Sequence, residues 1–209
     1  PIALTFSQAR LVDCGRGARS VLEFDFFRSL SAHLSRVAVL PALESAKQTL
    51  GDFREGKTSL YHFTGHGRFN HPDADMSPIH MSDCDLMPTD FEDDVRDGIR
   101  AARPMIFLNF CASGQGSLGM AGVHGWSSQF LSCGASALLA ARWDIHDELA
   151  AQFAVEFYRR WIGLEGYAPR PLARAVRDAR LAIRDRDPGN PTWLAYVLYG
   201  HADMRCVLP

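Results

Sequence analysis

Apolar runs that end at small or polar residues recur along the chain, and amphipathic stretches separate them. The apolar runs lie within residues 59–67, 104–114, 134–141 and 195–200. Hydrophobic side chains recur at helical spacing within residues 20–37, 147–161 and 172–186. Strands that alternate with helices are typical of a mostly parallel sheet covered on both faces. The pattern therefore predicts an α/β fold.

Local signals predict several further elements. Residues 2–6 are a short apolar segment that could open the fold as a strand. Pro41 suits the first position of a second helix, because the fixed backbone of proline fits there. Thr89 is a candidate N-cap for a helix whose first turn is acidic and which runs to about residue 102. Residues 114–125 are rich in glycine and predict a mobile loop, and Asp147 is a candidate N-cap for the helix that follows it.

Size and charge narrow the classes of function. The 209 residues suit a single domain spanning residues 1–209, and because the chain begins with Pro1 we expect it to be part of a larger protein. The net charge of -2 argues against a general grip on nucleic acid, which needs a basic face. No apolar run is long enough to span a bilayer, and no signal peptide is recognised, so we expect neither membrane binding nor secretion.

The cysteines indicate a reducing compartment. There are five of them, they are widely spaced, and no pair forms a C-x-x-C motif. Free thiols in the cytoplasm explain this better than a disulfide framework or a structural zinc site. Three of them, Cys14, Cys133 and Cys206, are predicted to be structural.

Two of the apolar runs deliver reactive side chains to their ends. His66 follows the first run between two glycines, and Cys111 follows the second. The carboxyl ends of parallel strands form the crevice in which α/β proteins bind ligands, so these two side chains could meet there. A histidine beside a cysteine can activate the thiol as a nucleophile. The backbone N–H groups of Gly67 and Cys111 are candidates for an oxyanion hole.

Structural roles are an open alternative at this point. A single cysteine at a strand end often serves as a small buried hydrophobic residue, and a histidine near a turn often makes a structural hydrogen bond. The pattern alone leaves a Cys–His site and these structural roles about equally supported. His62 is predicted to pack within its strand. His80, Cys84 and Asp85 match no common spacing of metal ligands.

The same two stretches resemble a known family. Residues 63–67, Phe-Thr-Gly-His-Gly, resemble the histidine motif of CHAT domains, and residues 109–114, Asn-Phe-Cys-Ala-Ser-Gly, resemble their cysteine motif. The segment from Trp143 to Asp147 and the aromatic residues near the C-terminal end extend the resemblance over about residues 43–200. It implies a caspase-like three-layer α/β/α sandwich with a mostly parallel central sheet.

The resemblance also implies an activity. The chain would be a cysteine endopeptidase with His66 and Cys111 as its catalytic dyad, without a metal or organic cofactor. Its substrate would be a protein, and other domains or an activating partner would regulate it. Family members commonly belong to larger signalling proteins, including bacterial defence and CRISPR-associated systems. A catalytically silent interaction module is the alternative, and a thiol acyltransferase or hydrolase of small esters is a third hypothesis.

Substrate preference is predicted from the acidic residues near the site. In separase-like relatives an acidic residue after the tryptophan segment helps to receive a basic side chain, and Asp144 and Asp147 occupy comparable positions here. Metacaspase-like relatives carry an aspartate two residues before the cysteine, where this chain has Asn109. We therefore assign Asp144, Asp147 and Asn109 to substrate binding, with helix capping as the alternative role of Asp147.

Overall fold

The computed structural model describes residues 2–14, 21–68, 73–111, 113–114, 116–119 and 122–209. The strands are β1 (Ala3–Thr5), β2 (Gln8–Cys14), β3 (Ala38–Leu43), β4 (Leu60–Gly65), β5 (Ile79–His80), β6 (Asp85–Leu86), β7 (Met105–Asn109), β8 (Ser117–Gly119), β9 (Gly122–His124), β10 (Ala137–Ala141), β11 (Tyr196–Gly200) and β12 (Arg205–Val207). The α-helices are α1 (Val21–His33), α2 (Ala46–Glu55), α3 (Asp93–Ala102), α4 (Trp126–Ser132), α5 (Asp147–Tyr158), α6 (Leu172–Arg186) and α7 (Thr192–Ala195). Short 3-10 turns span Ala74–Met76 and Pro88–Asp90, and a π-helical turn spans Arg159–Gly163.

Six strands form the central sheet, in the order β11-β10-β7-β4-β2-β3. Neighbouring strands run parallel except β10 and β11, which are antiparallel. Alternate side chains of β7 enter separate cores, with Phe107 on one face of the sheet and Ile106 and Leu108 on the other. Helices α1, α5 and α6 cover the first face, and α2, α3 and α4 cover the second. The predicted three-layer α/β/α sandwich with a mostly parallel sheet is confirmed.

The region before β4 differs from the prediction. Strand β2 was not predicted, and residues 38–43 form strand β3, so the prediction that a helix begins at Pro41 is wrong. Proline lacks a backbone N–H and is tolerated on an edge strand, and β3 is an edge of the sheet. The helix begins at Ala46 instead, because the Ser45 hydroxyl accepts a hydrogen bond from the Gln48 amide at 3.1 Å and caps it.

Three other boundaries also differ. The helix predicted to be capped by Thr89 begins at Asp93, after a 3-10 turn in which the Asp90 carboxylate accepts a hydrogen bond from the Met87 amide. His146 is the N-cap of α5, so Asp147 is its first helical residue and not its cap. The predicted loop over residues 114–125 contains the paired strands β8 and β9, and its residues 115 and 120–121 lie outside the described part of the chain.

Within the part of the chain that the structure describes, no helix combines the length and the hydrophobicity needed to cross a bilayer.

Candidate active site

The sheet brings the two predicted motifs to one edge. Strands β4 and β7 are parallel neighbours, and Thr64 pairs with Asn109 at their carboxyl ends. His66 follows β4 and Cys111 follows β7, and both side chains line one cleft of about 270 Å³. The Cys111 side chain is half-buried, whereas His66 is exposed. Their catalytic roles stay predictions at this point.

Two glycines shape the turn that carries His66. Gly65 has a φ of 127°, and a Cβ atom at this position would lie 2.3 Å from the carbonyl oxygen of Cys14 on the neighbouring strand. At Gly67, a Cβ atom would lie 2.4 Å from the ring of Phe110, the residue before Cys111. The absence of a side chain at Gly67 therefore allows the histidine turn and the cysteine turn to pack against each other.

The turn that follows Cys111 is held by β10. The Ser113 hydroxyl donates to the Leu108 carbonyl at 2.9 Å and accepts from the Ala141 amide at 3.0 Å. The Gly114 amide donates to the Ala141 carbonyl at 2.7 Å. These hydrogen bonds fix the backbone on both sides of Cys111 between the central strands.

The Cys111 thiol lies against the segment that follows β10. The Ile145 amide donates to Cys111 Sγ at 3.5 Å. Burial raises the pKa of the Cys111 thiol above its usual value; the Ile145 hydrogen bond opposes this, while the negative charges of Asp144 and Asp147 add to the increase. The thiol is therefore protonated at neutral pH in this state, and a nucleophilic reaction requires a base.

The first predicted oxyanion donor is the backbone amide of Gly67. Gly67 forms an isolated antiparallel bridge with Ile79. Its hydrogen bonds run from the Arg68 amide to the Pro78 carbonyl and from the His80 amide to the His66 carbonyl. This bridge therefore does not use the Gly67 amide. The second predicted donor is the amide of Cys111, a residue that lines the cleft.

A buried carboxylate forms part of the cleft wall. Glu23 of α1 is 2% exposed, and three donors converge on it. His62 Nε2 lies 2.7 Å and Asn109 Nδ2 lies 2.6 Å from Glu23 Oε1, and the Thr64 hydroxyl lies 2.6 Å from Oε2. The hydroxyl of Tyr196 donates to Asn109 Oδ1 at 2.6 Å. This Glu23 network lies directly beneath the ends of β4 and β7.

The predicted substrate-binding residues occupy different places. Asn109 lines the cleft and is 5% exposed, with its amide held by the Glu23 network. Asp147 lines the cleft together with Glu148 at the start of α5. Asp144 is exposed and is not among the residues that line the cleft, although its charge acts on Cys111.

Sequence reasoning missed Glu23, although its spacing carried a signal. Glu23 shares the buried face of α1 with Phe26, Phe27 and Leu30, at helical spacings of three, four and seven residues. A carboxylate on an apolar helix face must find hydrogen-bond donors in the core. His62, which was predicted to pack, is fully buried and is one of those donors.

The remaining candidates do not form a cluster of potential metal ligands or a disulfide among the described residues. No group of three or more potential metal ligands was found among the described residues, although the His80 ring and the Asp85 carboxylate are 2.9 Å apart. Of the cysteines predicted to be structural, Cys14 and Cys133 are buried and Cys206 is partly buried, and all three are free thiols.

Solved structures with a similar fold include cysteine proteases and a protease complex. Gingipain R, an Arg-specific cysteine proteinase, aligns with a TM-score of 0.69 and 12% identity over 98% of this chain and 49% of its own. Separase in its complex with securin from Saccharomyces cerevisiae aligns with a TM-score of 0.65 and 16% identity over 99% of this chain. Caspase-1 from Spodoptera frugiperda aligns with a TM-score of 0.56 and 8% identity over 97% of this chain and 90% of its own.

These alignments establish a caspase-like fold. The family of this chain follows from a match of its sequence to a family model. The chain spans 13% of the length of the separase and about half of the gingipain chain. No curated protein matches the sequence. The family model described as CHAT domain matches residues 16–201, which include both motifs. The chain therefore belongs to the CHAT domain family.

Proposed function

We propose that this chain is a cysteine endopeptidase domain in which Cys111 is the nucleophile and His66 is the general base and acid. One observation carries the proposal: His66 and Cys111, which are far apart in sequence, line the same cleft at the carboxyl edge of the sheet. The caspase-like fold supports a module of the cysteine protease type.

The proposed reaction follows from the chemistry of the two side chains. His66 takes the proton from the Cys111 thiol, and the sulfur attacks the carbonyl carbon of the scissile bond. The amide N–H groups of Gly67 and Cys111 stabilise the oxyanion. The carbon–nitrogen bond breaks, and His66 gives its proton to the departing amine. A water molecule deprotonated by His66 then hydrolyses the thioester and releases the acid and the thiol.

The composition of the cleft favours a basic side chain before the scissile bond. Three carboxylates line it, those of Glu23, Asp147 and Glu148. Among the described lining residues there is no lysine or arginine, and the apolar members can pack against an aliphatic stem: Val21, Leu22, Ile145, Ala150 and Ala151. A guanidinium group at the end of such a stem donates strong hydrogen bonds to a carboxylate. Glu23 and Asp147 are therefore proposed to recognise the basic side chain of the substrate. Asn109 holds the Glu23 carboxylate through a hydrogen bond, and Asp144 contributes through its negative charge.

The protonated thiol favours regulation by a partner. Burial and the nearby aspartates raise the pKa of Cys111, so the resting domain reacts slowly until a substrate or a partner changes the surroundings of the sulfur. A protein partner is a reasonable expectation, since yeast separase was crystallised with securin. The same raised pKa also favours the second candidate function, a catalytically silent interaction module.

A peptide library tests the proposal. Wild-type protein, Cys111→Ala, His66→Ala and the control Cys206→Ala are incubated with a diverse peptide library, and the products are identified by mass spectrometry. We expect cuts with wild type and Cys206→Ala, none with the two site variants, and circular dichroism spectra that agree among all four. Cuts that persist in folded Cys111→Ala contradict the proposal. Absence of cuts in every sample favours the interaction module, and turnover of small esters alone favours an acyl hydrolase.

A further inference from the structure

A second cleft lies beside His66. It measures about 520 Å³ and is lined by His66, His80, Met81, Cys84 and Asp85, which bring together the histidine turn and the hairpin of β5 and β6. Among the residues that the structure describes, His66 is the one that lines both this cleft and the cleft that contains Cys111. His66 therefore lies between two recesses.

Hydrogen bonds hold the walls of this second cleft in place. At its base, the His80 amide donates to the His66 carbonyl at 3.2 Å, so the hairpin is joined to the histidine turn. At its tip, the Asp83 carboxylate accepts hydrogen bonds from the Ala46 and Lys47 amides at the start of α2, at 2.7 and 3.2 Å. The hairpin is anchored at both ends, which indicates a preformed recess.

The proposed reaction assigns a direction to the two recesses. After attack, the part of the substrate before the scissile bond is joined to the Cys111 sulfur, and the amine of the part after it must take a proton from His66. The departing chain therefore leaves on the side of His66. The recess that borders His66 but not Cys111 lies where that chain would pass.

The charge of the second cleft indicates which side chain it would accept. Asp85 is 52% exposed, and its carboxylate accepts a hydrogen bond from the His80 ring at 2.9 Å. Neither lysine nor arginine is among the described lining residues. The charges of Asp83, Asp90 and Asp85 each raise the pKa of the Cys84 thiol, after the larger effect of its desolvation, so the potential at the hairpin is negative.

We propose that the second cleft binds the first residues after the scissile bond and selects a basic side chain there through Asp85. This inference rests on the proposed protease function and extends it to the leaving side of the substrate. Asp85 is a specificity residue in this scheme and does not touch the reacting atoms.

Paired substrates test the inference. Internally quenched peptides share one acyl part, taken from the Cys111-dependent cuts of the library, and carry lysine, glutamine or glutamate at the two positions after the cut. A coumarin amide of the same acyl part has no residue there. We expect kcat/KM to fall in the order lysine, glutamine, glutamate, with each step about two- to fivefold, the range that one solvent-accessible charge pair supports.

The variant Asp85→Asn separates the possible outcomes, and Asp97→Asn, on the exposed side of α3, is the matched control. We expect Asp85→Asn to narrow the ratio of lysine to glutamate peptides, and to lower kcat/KM for the lysine peptide relative to the coumarin amide, while Asp97→Asn changes neither ratio. If cleavage depends on Cys111 but the three peptides react equally, or Asp85→Asn leaves the ratios unchanged, the inference is wrong and the protease function stands. If no substrate is cleaved in a Cys111-dependent way, both fail.

Discussion

At the scale of single residues, Glu23 is the polar side chain of the site whose loss should destabilise the fold most. It is buried in the first turn of α1 and accepts hydrogen bonds from His62, Thr64 and Asn109. Glu23→Ala leaves three buried donors without their acceptor, and removing one member of a buried charged network costs about 3–5 kcal/mol. We expect this loss in the free energy of unfolding, measured by denaturant titration.

A matched control lies two residues further along α1. Asp25 is exposed and pairs with Arg28 one turn away at 3.2 Å. Surface pairs of this kind contribute little, so Asp25→Ala should change the free energy of unfolding by less than about 1 kcal/mol. Equal losses in the free energy of unfolding for Glu23→Ala and Asp25→Ala would show that the Glu23 network does not stabilise the carboxyl ends of β4 and β7.

The protonation of Cys111 gives a second prediction at this scale. Because burial and the charges of Asp144 and Asp147 raise the thiol pKa, iodoacetamide should modify Cys111 slowly at neutral pH, and the rate should keep rising beyond about pH 8.5, where a free cysteine is half ionised. Asp144→Asn removes one negative charge, lowers the pKa and raises the thiolate fraction. We expect alkylation of Cys111 at a fixed mildly alkaline pH to become roughly two- to threefold faster, because the lower basicity offsets part of the gain.

Mass spectrometry of the digested protein measures this rate at Cys111 and, in the same sample, at Cys84. Asp187→Asn, an exposed position after α6, is the control and should leave the Cys111 rate unchanged. A slower reaction in Asp144→Asn would mean that the aspartate activates the thiol and does not suppress it.

The residues of the cleft were predictable to the extent that they end apolar strands. His66 and Cys111 follow the continuous runs that became β4 and β7, and parallel neighbours bring their carboxyl ends together. Glu23 was not predicted because its role depends on three donors from other elements, all of them on those same two strands. Sequence spacing places Glu23 on a buried helix face but does not identify its partners.

At the scale of elements, β2 and β3 were not predicted from the sequence because they contain polar residues or proline. Strand β2 has Gln8, Arg10 and Asp13 among its apolar residues, so it lacks a continuous hydrophobic run. The structure satisfies Arg10 through the Asp52 carboxylate at 2.6 Å and the Pro41 carbonyl at 2.9 Å. These partners come from α2 and β3, and only the folded arrangement makes β2 a favourable strand.

The packing of α2 against α3 gives a prediction at this scale. Both helices contain an internal glycine. A Cβ atom at Gly98 of α3 would lie 1.9 Å from the Phe53 carbonyl oxygen, whereas one at Gly51 of α2 would meet no atom within 4 Å. Gly98→Ala should therefore destabilise the domain by about 1–3 kcal/mol through overpacking, and Gly51→Ala should stabilise it by about 0.5–1 kcal/mol through helix propensity.

Denaturant unfolding of the two variants beside wild type measures both changes. Because the substitution is the same in each, helix propensity contributes alike and the difference reports the contact between the helices. If Gly98→Ala stabilised the protein as Gly51→Ala is expected to, the result would contradict the close packing of α2 against α3.

At the scale of the whole molecule, the two ends of the chain are joined outside the central sheet. Strand β1 pairs in parallel with β12, and Leu4 stands opposite Cys206. Met204, just before β12, is 1% exposed, and its carbonyl accepts a hydrogen bond from the Leu172 amide at the start of α6. Three-residue strands without a strong pattern are poor sequence signals, and β12 was not predicted. The match to the family model also ends at residue 201, before this strand.

The stable unit should therefore extend beyond the part that matches the family. Deleting residues 202–209 removes Met204 and β12 and exposes Leu4, and the loss of one buried methionine side chain alone costs about 2–5 kcal/mol. We expect the shortened chain to unfold at lower denaturant concentration by at least that free energy. Deleting only residues 208–209, of which Leu208 is 42% exposed, should leave the stability almost unchanged.

A point variant replaces the longer deletion if that chain does not fold. Met204→Ala, a milder change, should still lower the free energy of unfolding by about 2–5 kcal/mol. If the chain that ends at residue 201 were as stable as the full chain, the pairing of the two ends would be a surface contact and the core would close without it.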